Sequence, residues 1–263
     1  MHEFAFIFAG FAVGLVVGLT GVGGGSLMTP ILIFVFGIKP HLAIGTDLLF
    51  AAFTKMGGTV SLARARIVDW RIVGQMAAGS LPASLATLYM LHLVGPANPA
   101  TQTVMTTTLG LALLLTAGAT LYKVLRGKAV PLAIAPELLS QATRPQHWAL
   151  PVLFGAVIGT LVTITSVGAG AIGVIVLMLL YPALPLPRIV AADIAHAVPL
   201  TLVAGLGHAS IGSVDWPLLL KLLAGSLPGI WLGTQLMRKT PDRVIRSLLS
   251  ALLAYAGVKL ISI

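Results

Sequence analysis

A pair of motifs recurs in this chain at fixed spacing and constrains its architecture more than any other feature. Val68-Asp69-Trp70 is followed, after eight residues, by Gly79-Ser80-Leu81-Pro82, and Val214-Asp215-Trp216 is followed, after the same eight, by Gly225-Ser226-Leu227-Pro228. The offset is 146 positions (214 − 68). A second match lies at an offset of 145 (165 − 20): Thr20-Gly21-Val22-Gly23-Gly24-Gly25 against Thr165-Ser166-Val167-Gly168-Ala169-Gly170. The chain therefore reads as a tandem duplication, with a first repeat over 1–122, a polar cytoplasmic connector over 123–147 and a second repeat over 148–263.

Composition says what medium the repeats occupy. Charged residues make up 9% of the chain, hydrophobic residues 57%, and the mean hydropathy is +1.02. A soluble domain carries about 25% charged residues, so water could not wet this surface all round. Apolar runs of roughly 17–22 residues recur along the length, each able to cross a hydrocarbon core of about 30 Å. The first run, Phe4–Leu19, lacks a basic leader and matches Leu150–Thr165, so it reads as part of the fold rather than a signal peptide. There are no cysteines, which excludes disulfides, thiol nucleophiles and thiolate metal sites. The net charge of +9 is a topology signal here, because Lys and Arg gather in short loops; nucleic acid is not an expected partner. The expected class is an all-α polytopic membrane protein. In so apolar a chain, a duplicated half points to a secondary transporter built from two repeats.

Each repeat divides into five apolar segments. These are Phe4–Leu19, Leu27–Phe36, Leu42–Ala63, Ile72–Leu91 and Thr101–Leu121, then Trp148–Ile164, Ile172–Tyr181, Ile189–Leu206, Trp216–Leu236 and Val244–Ile261. The second segment of each half, at about ten residues or 15 Å, is short for a crossing. It is either extended through the preceding glycines or one arm of a re-entrant hairpin. Charge supports an odd number of crossings per half. The loop holding Arg64, Arg66 and Arg71 is basic while its counterpart, His208–Asp215, has no Lys or Arg; His92–Ala100 has none while its counterpart holds Arg238, Lys239 and Arg243. Reversed bias in equivalent loops predicts inverted-topology repeats, with the basic loops cytoplasmic and both termini periplasmic in a bacterial inner membrane. Asp69 and Asp215 are expected to cap the helices that follow, and Trp70 and Trp216 to sit at the headgroups. The GSLP repeats read as a small residue for close helix approach and a proline that bends the span.

Gly21–Ser26 is the foremost candidate for chemistry. Consecutive glycines cost about 1 kcal/mol each in a helix, so the segment is expected to unwind, with a new helix starting near Ser26. Unwound backbone at membrane depth must line a cavity or be buried in protein. The free N–H groups and positive dipole of the new helix would suit an anion, and Ser166–Gly170 would mirror them. Tight packing alone is the competing reading of the glycines. No Gly-Lys-Ser/Thr closes the loop, so it is not a Walker motif. The candidate substrate-binding set is Thr20, Gly23, Gly24, Gly25, Ser26 and Lys55, with Thr165, Gly168, Ala169, Gly170 and Ala171. Lys55 lies two turns beyond Asp47, roughly on the same face, and either neutralises the anion or holds Asp47 or Asp193 in an ion pair. Asp47 and Asp193 are equivalent (193 − 47 = 146); with His196 they are candidates for gating or proton coupling, helix capping being the alternative for the aspartates.

These residues carry a resemblance. GLVVGLTGVGGGSLMTPILI (Gly14–Ile33), AIGTDLLFAAFTKMGG (Ala43–Gly58), RARIVDWRIVG (Arg64–Gly74) and GHASIGSVDWPLLLKLLAGSLPGIWLG (Gly207–Gly233) together resemble the TauE/SafE, or TSUP, family of sulfite exporters. The resemblance spans both halves. It implies an integral inner-membrane transporter of sulfite, thiosulfate, sulfonates or related organic acids. Ala169 and Ala171 replace Gly24 and Ser26 in the second copy, so the halves are not equal.

The expected function is a secondary carrier of sulfite or a small organosulfonate by alternating access, with the anion bound at the midplane between repeats. An anion channel of the same fold, or a carrier for carboxylates, is the alternative. An enzyme is not expected, because no clustered acid/base or His-Glu-x-x-His pattern occurs. No cofactor or metal is expected either. The partners are a small anion and the lipid bilayer, and homo-oligomerisation is compatible with this reading.

Overall fold

The structure is a computed structural model that describes residues 2–20, 25–126, 149–168, 170, 172–236 and 242–262. Among these the regular secondary structure is all helix, without strands. In chain order the helices are α1 (His2–Thr20), α2 (Gly25–Phe34), α3 (Pro40–Arg64), α4 (Trp70–Val94), α5 (Pro99–Arg126), α6 (Ala149–Thr165), α7 (Ile172–Leu180), α8 (Leu186–Ser210), α9 (Trp216–Leu236) and α10 (Asp242–Ile261). They follow the ten apolar segments, and α2 and α7 are the short second elements at 10 and 9 residues. α5 runs to Arg126, into the stretch read as a connector; 127–148 lies outside the described residues.

The helix ends follow from local chemistry. The Asp69 carboxylate accepts from the N–H groups of Arg71 and Ile72 at 3.1 and 3.4 Å, and Asp215 accepts from Leu218 N–H at 3.0 Å. Both repeated Asp-Trp pairs thus cap helix starts, and Trp70 and Trp216 stay about half exposed beside them. Proline opens α3 and α8 in the first turn, where its missing N–H costs nothing. Gly95, at φ +87°, ends α4 in a conformation that favours glycine.

Four helices, α4, α5, α8 and α9, are each long and apolar enough to cross a membrane. Their neighbours are shorter or, like α3, interrupted by charge. Large apolar side chains such as Phe8, Leu85, Leu153, Leu220, Trp231 and Leu252 point outward, as a hydrocarbon environment requires. The molecule is a polytopic α-helical membrane protein.

The most extensive helix pairings are α1 with α9, α4 with α6, α5 with α10, and α3 with α8. Each joins a helix before residue 127 to one after 148, so the two halves interlock. Two of these seams repeat one another contact for contact. A methyl group on Gly79 of α4 would fall 1.8 Å from the Val152 carbonyl oxygen of α6. On Gly225 of α9 it would fall 1.9 Å from that of Ile7 in α1. From the other side, Gly159 abuts Ser80 O and Gly14 abuts Ser226 O, both at 2.4 Å by the same measure. Backbone-to-backbone approach of this kind is how helices associate where lipid removes the hydrophobic drive.

α3 and α8 run antiparallel. Gly45 lies against His208 and Ser213, and Gly205 against Leu49. The α8–α9 loop is tied to the start of α3, where Asp215 N–H donates to Thr46 Oγ1 at 3.0 Å. The Arg64–Arg71 loop lies at the opposite end of α3, about 27 Å along the helix from Thr46.

Candidate functional site

The site grows from the α3–α8 pair. α3 is buried from Ala43 through Ala52, and Asp47 within this run is 0% exposed. An ionised or polar group at that depth needs partners. Thr29 of α2 supplies one, its hydroxyl donating to Asp47 Oδ2. Ser166, just past α6, turns its buried hydroxyl toward Asp47 without closing a hydrogen bond of ordinary geometry. Asp47 thus ties α3 to the short helix of its own half and to the helix break of the other.

Asp193 of α8 is as deeply buried, at 1% exposed. Its carboxylate rests on Gly173 in the first turn of α7, where a methyl group would fall 1.9 Å from Oδ1. Each aspartate therefore abuts the short helix of its half, one through a threonine and one through a glycine. Lys55 lies between them. Continuing the antiparallel register of α3 and α8 brings it level with the His196–Pro199 turn, and it is 7% exposed. It interacts electrostatically with Asp193 and, more weakly, with Asp47, and His196 in turn feels Lys55. The structure thus brings together Lys55, Asp47, Asp193 and His196, singled out in sequence on two helices 146 positions apart.

The helix break after α6 is present. α6 stops at Thr165, Ser166 takes φ +61°, and Gly168 and Gly170 take φ near +130° before α7 starts at Ile172. The Thr165 hydroxyl is engaged locally, lying 2.6 Å from Leu161 O and 2.9 Å from Val167 O and accepting from Val167 N–H at 3.1 Å. On the first-half side, α2 begins at Gly25 and Ser26 is buried. Gly23, Gly24, Ala169 and Ala171, together with the side chain of Thr20, lie outside the described residues.

Further polar groups join from α4 and α6. His196 Nε2 is 2.8 Å from Ser80 Oγ, Thr163 Oγ1 is 2.8 Å from Ser84 Oγ, and His208 Nε2 is 2.9 Å from the Thr163 carbonyl. Sequence reading passes over Thr29, Ser84 and Thr163, since hydroxyls in apolar runs carry no spacing signal. It takes Ser80 for its size alone, although a serine repeated in GSLP beside a span rich in small residues is the available clue. An apolar groove of about 560 Å³ lies elsewhere, between α5 and α7, lined by residues such as Leu114, Gly118, Ile175 and Leu179. It shares no residue with the Lys55 cluster and offers an anion no charge.

The family model for the sulfite exporter TauE/SafE matches residues 6–260. The chain is 34% identical to the probable membrane transporter protein YjnA of Bacillus subtilis, over 97% of this chain and 98% of that one. It is 29% identical to the probable membrane transporter protein YdhB of the same organism, over 95% and 97%. To a probable membrane transporter protein of Methanocaldococcus jannaschii it is 24% identical, over 96% and 92%. No solved structure matches the chain significantly. With nearly its whole length inside the family's pattern, and buried charge at the crossing of two interlocked halves, the chain belongs to the TauE/SafE family of membrane transporters.

Proposed function

We propose that this transporter is a secondary carrier for sulfite or a small sulfur-containing oxyanion such as an organosulfonate. The observation that carries the reading is Lys55, a buried cation midway along the α3–α8 crossing, flanked by two buried aspartates and a histidine. A lone buried charge costs several kcal/mol, so the aspartates hold the ammonium while the site is empty and a substrate anion competes with them. In this reading the N–H groups of Gly25, Ser26, Gly168 and Gly170 complete the cradle, with Thr165 beside them. Sulfonate and sulfite oxygens, compact and negatively charged, suit one ammonium and backbone donors.

Two observations support inverted repeats and alternating access. The equivalent helices α3 and α8 run antiparallel, and equivalent glycine seams recur in α1–α9 and α4–α6. Rocking one seam set against the other would expose Lys55 to each face in turn. The basic Arg64–Arg71 loop lies at the opposite end of α3 from the His208–Asp215 end, which has no Lys or Arg, and this favours a cytoplasmic basic face in the inner membrane.

Isothermal titration of the purified protein with sulfite, thiosulfate, sulfate, taurine, sulfoacetate and carboxylate analogues tests the substrate. Sulfur oxyanions should bind tightest; preference for carboxylates overturns that choice. Bilayer recordings showing single-channel currents would replace the carrier by a channel. Single cysteines at Arg66 and Gly212, clean because the chain has no native cysteine, should label from opposite sides of the membrane.

A further inference from the structure

α8 carries two buried histidines in different settings. His208 is 0% exposed, its Nε2 facing a carbonyl that only accepts, so that nitrogen keeps its hydrogen; the charged or titratable side chain it feels is His41. His196 is 1% exposed, and its Nε2 faces the Ser80 hydroxyl, which donates or accepts as required. Its Nδ1, like that of His208, has no hydrogen-bond partner among the described residues, so the two rings differ in what Nε2 faces and in the Lys55 cation beside His196.

The groups around His196 are few. α3 brings Lys55, which in turn interacts with Asp47, α8 itself brings Asp193 one turn earlier, and α4 brings Ser80. α6 and α7 contain no ionisable residue. With the site empty, an imidazolium would point a buried N–H at no acceptor while lying beside the Lys55 cation. With an anion bound, Nε2–H donates to Ser80 Oγ and Nδ1–H donates to an anion oxygen. Both ring hydrogens are then satisfied, and the anion screens the ring from Lys55.

We infer that His196, positioned by Ser80, takes up one proton from water at Nδ1 as the anion binds and releases it as the anion leaves, making the carrier an anion–proton symporter. This rests on the proposed anion site at Lys55. One N–H bond forms as an O–H bond of a hydronium ion breaks, leaving water, the reverse occurs on release, and the cargo crosses as one anion with one proton.

Ethanesulfonate, which stays ionised around neutral pH, separates the two readings. Its binding enthalpy should be measured in buffers of different ionisation enthalpy. The slope should report about one proton taken up per anion, with affinity rising as pH falls. His196→Gln should bind ethanesulfonate more weakly, having lost the charged Nδ1–H donor, with the slope reduced to near zero, and His208→Gln should match the unaltered protein. A slope unchanged by His196→Gln, or absent in the unaltered protein, overturns the symport while leaving the anion site standing. If ethanesulfonate, sulfite and thiosulfate all fail to bind, the carrier reading falls and this inference with it. Should His196→Gln not fold, the unaltered protein in proteoliposomes decides. A pH gradient alone, with membrane potential clamped, should accumulate ethanesulfonate, and no accumulation overturns the symport.

Discussion

The α4–α6 seam and the α9–α1 seam share a backbone and differ in chemistry. In both, glycines on each helix bring carbonyls into contact, and Ser80 and Ser226 occupy the same place (226 − 80 = 146). Around Ser80 stand His196, Ser84, Thr163 and His208. The equivalent positions in the other half hold Phe50, Ile230, Gly18 and Leu62, and among the described residues the Ser226 hydroxyl bonds within its own helix, to Leu223 O at 3.3 Å. Glycine spacing therefore builds the seam, and side chains added later decide whether it is polar. One seam has kept packing alone. The other has gained a buried hydroxyl and imidazole set whose near end reaches Lys55. The two seams thus frame a site whose chemistry is one-sided.

The strongest test of that asymmetry is Lys55 itself, since position 201 in the other half is Thr201, bonded to its own helix at Ala197 O. Lys55→Met leaves buried carboxylates without their counter-charge, a loss of about 3–5 kcal/mol in stability. Adding Asp193→Asn should restore the thermal midpoint. Binding should stay lost in the restored double variant, because the anion's own partner is gone. Recovery of binding would reduce Lys55 to an ion-pair partner and remove it from the substrate site.

A smaller and symmetric effect is expected at the seams. Gly79→Val and Gly225→Val each push a side chain into a facing carbonyl, and overpacking of this kind costs on the order of 1–3 kcal/mol. Both should lower the unfolding temperature in detergent by similar amounts. A large loss at only one would show that the equivalent spacing hides unequal packing.

Much of this is legible in the chain before any coordinates. The ten helices among the described residues, the short α2 and α7 and the Asp-Trp caps follow from hydropathy, length and the repeated VDW. Asp47, Lys55, Asp193 and His196 stand out because ionisable residues in spans are costly enough to need a reason. What escapes is pairing across the halves. Thr29 is a single hydroxyl in an apolar helix, and only folding brings it to Asp47, 18 residues on. The α4–α6 contact sets Ser84 against Thr163, 79 positions apart, and no repeat signal marks it, because the equivalents are Ile230 and Gly18. Interlocking of the halves is similarly invisible, since each repeat reads as a self-contained run of five segments.

The mildest expected effect lies at the far end of the polar seam. Ser84 and Thr163 join α4 to α6 through one buried hydroxyl pair at 2.8 Å. Thr163 also lies 2.7 Å from Gly159 O, so its hydroxyl donates there and accepts from Ser84. Ser84→Ala removes a donor but leaves the Thr163 hydrogen satisfied, so no buried donor is orphaned. Interhelical hydrogen bonds in membranes average about 0.6 kcal/mol, and a loss of that order is expected here. His208 should be undisturbed, because its partner is the Thr163 backbone carbonyl, which the substitution does not touch. Anion affinity and its pH dependence should therefore match the unaltered protein. A double-mutant cycle with Thr163→Val, read by thermal unfolding, isolates the pair energy from the Gly159 contact. A coupling near the Lys55→Met loss, or a changed pH dependence in Ser84→Ala, would mean that the outer hydroxyls belong to the transport site and that the polar seam acts as one unit.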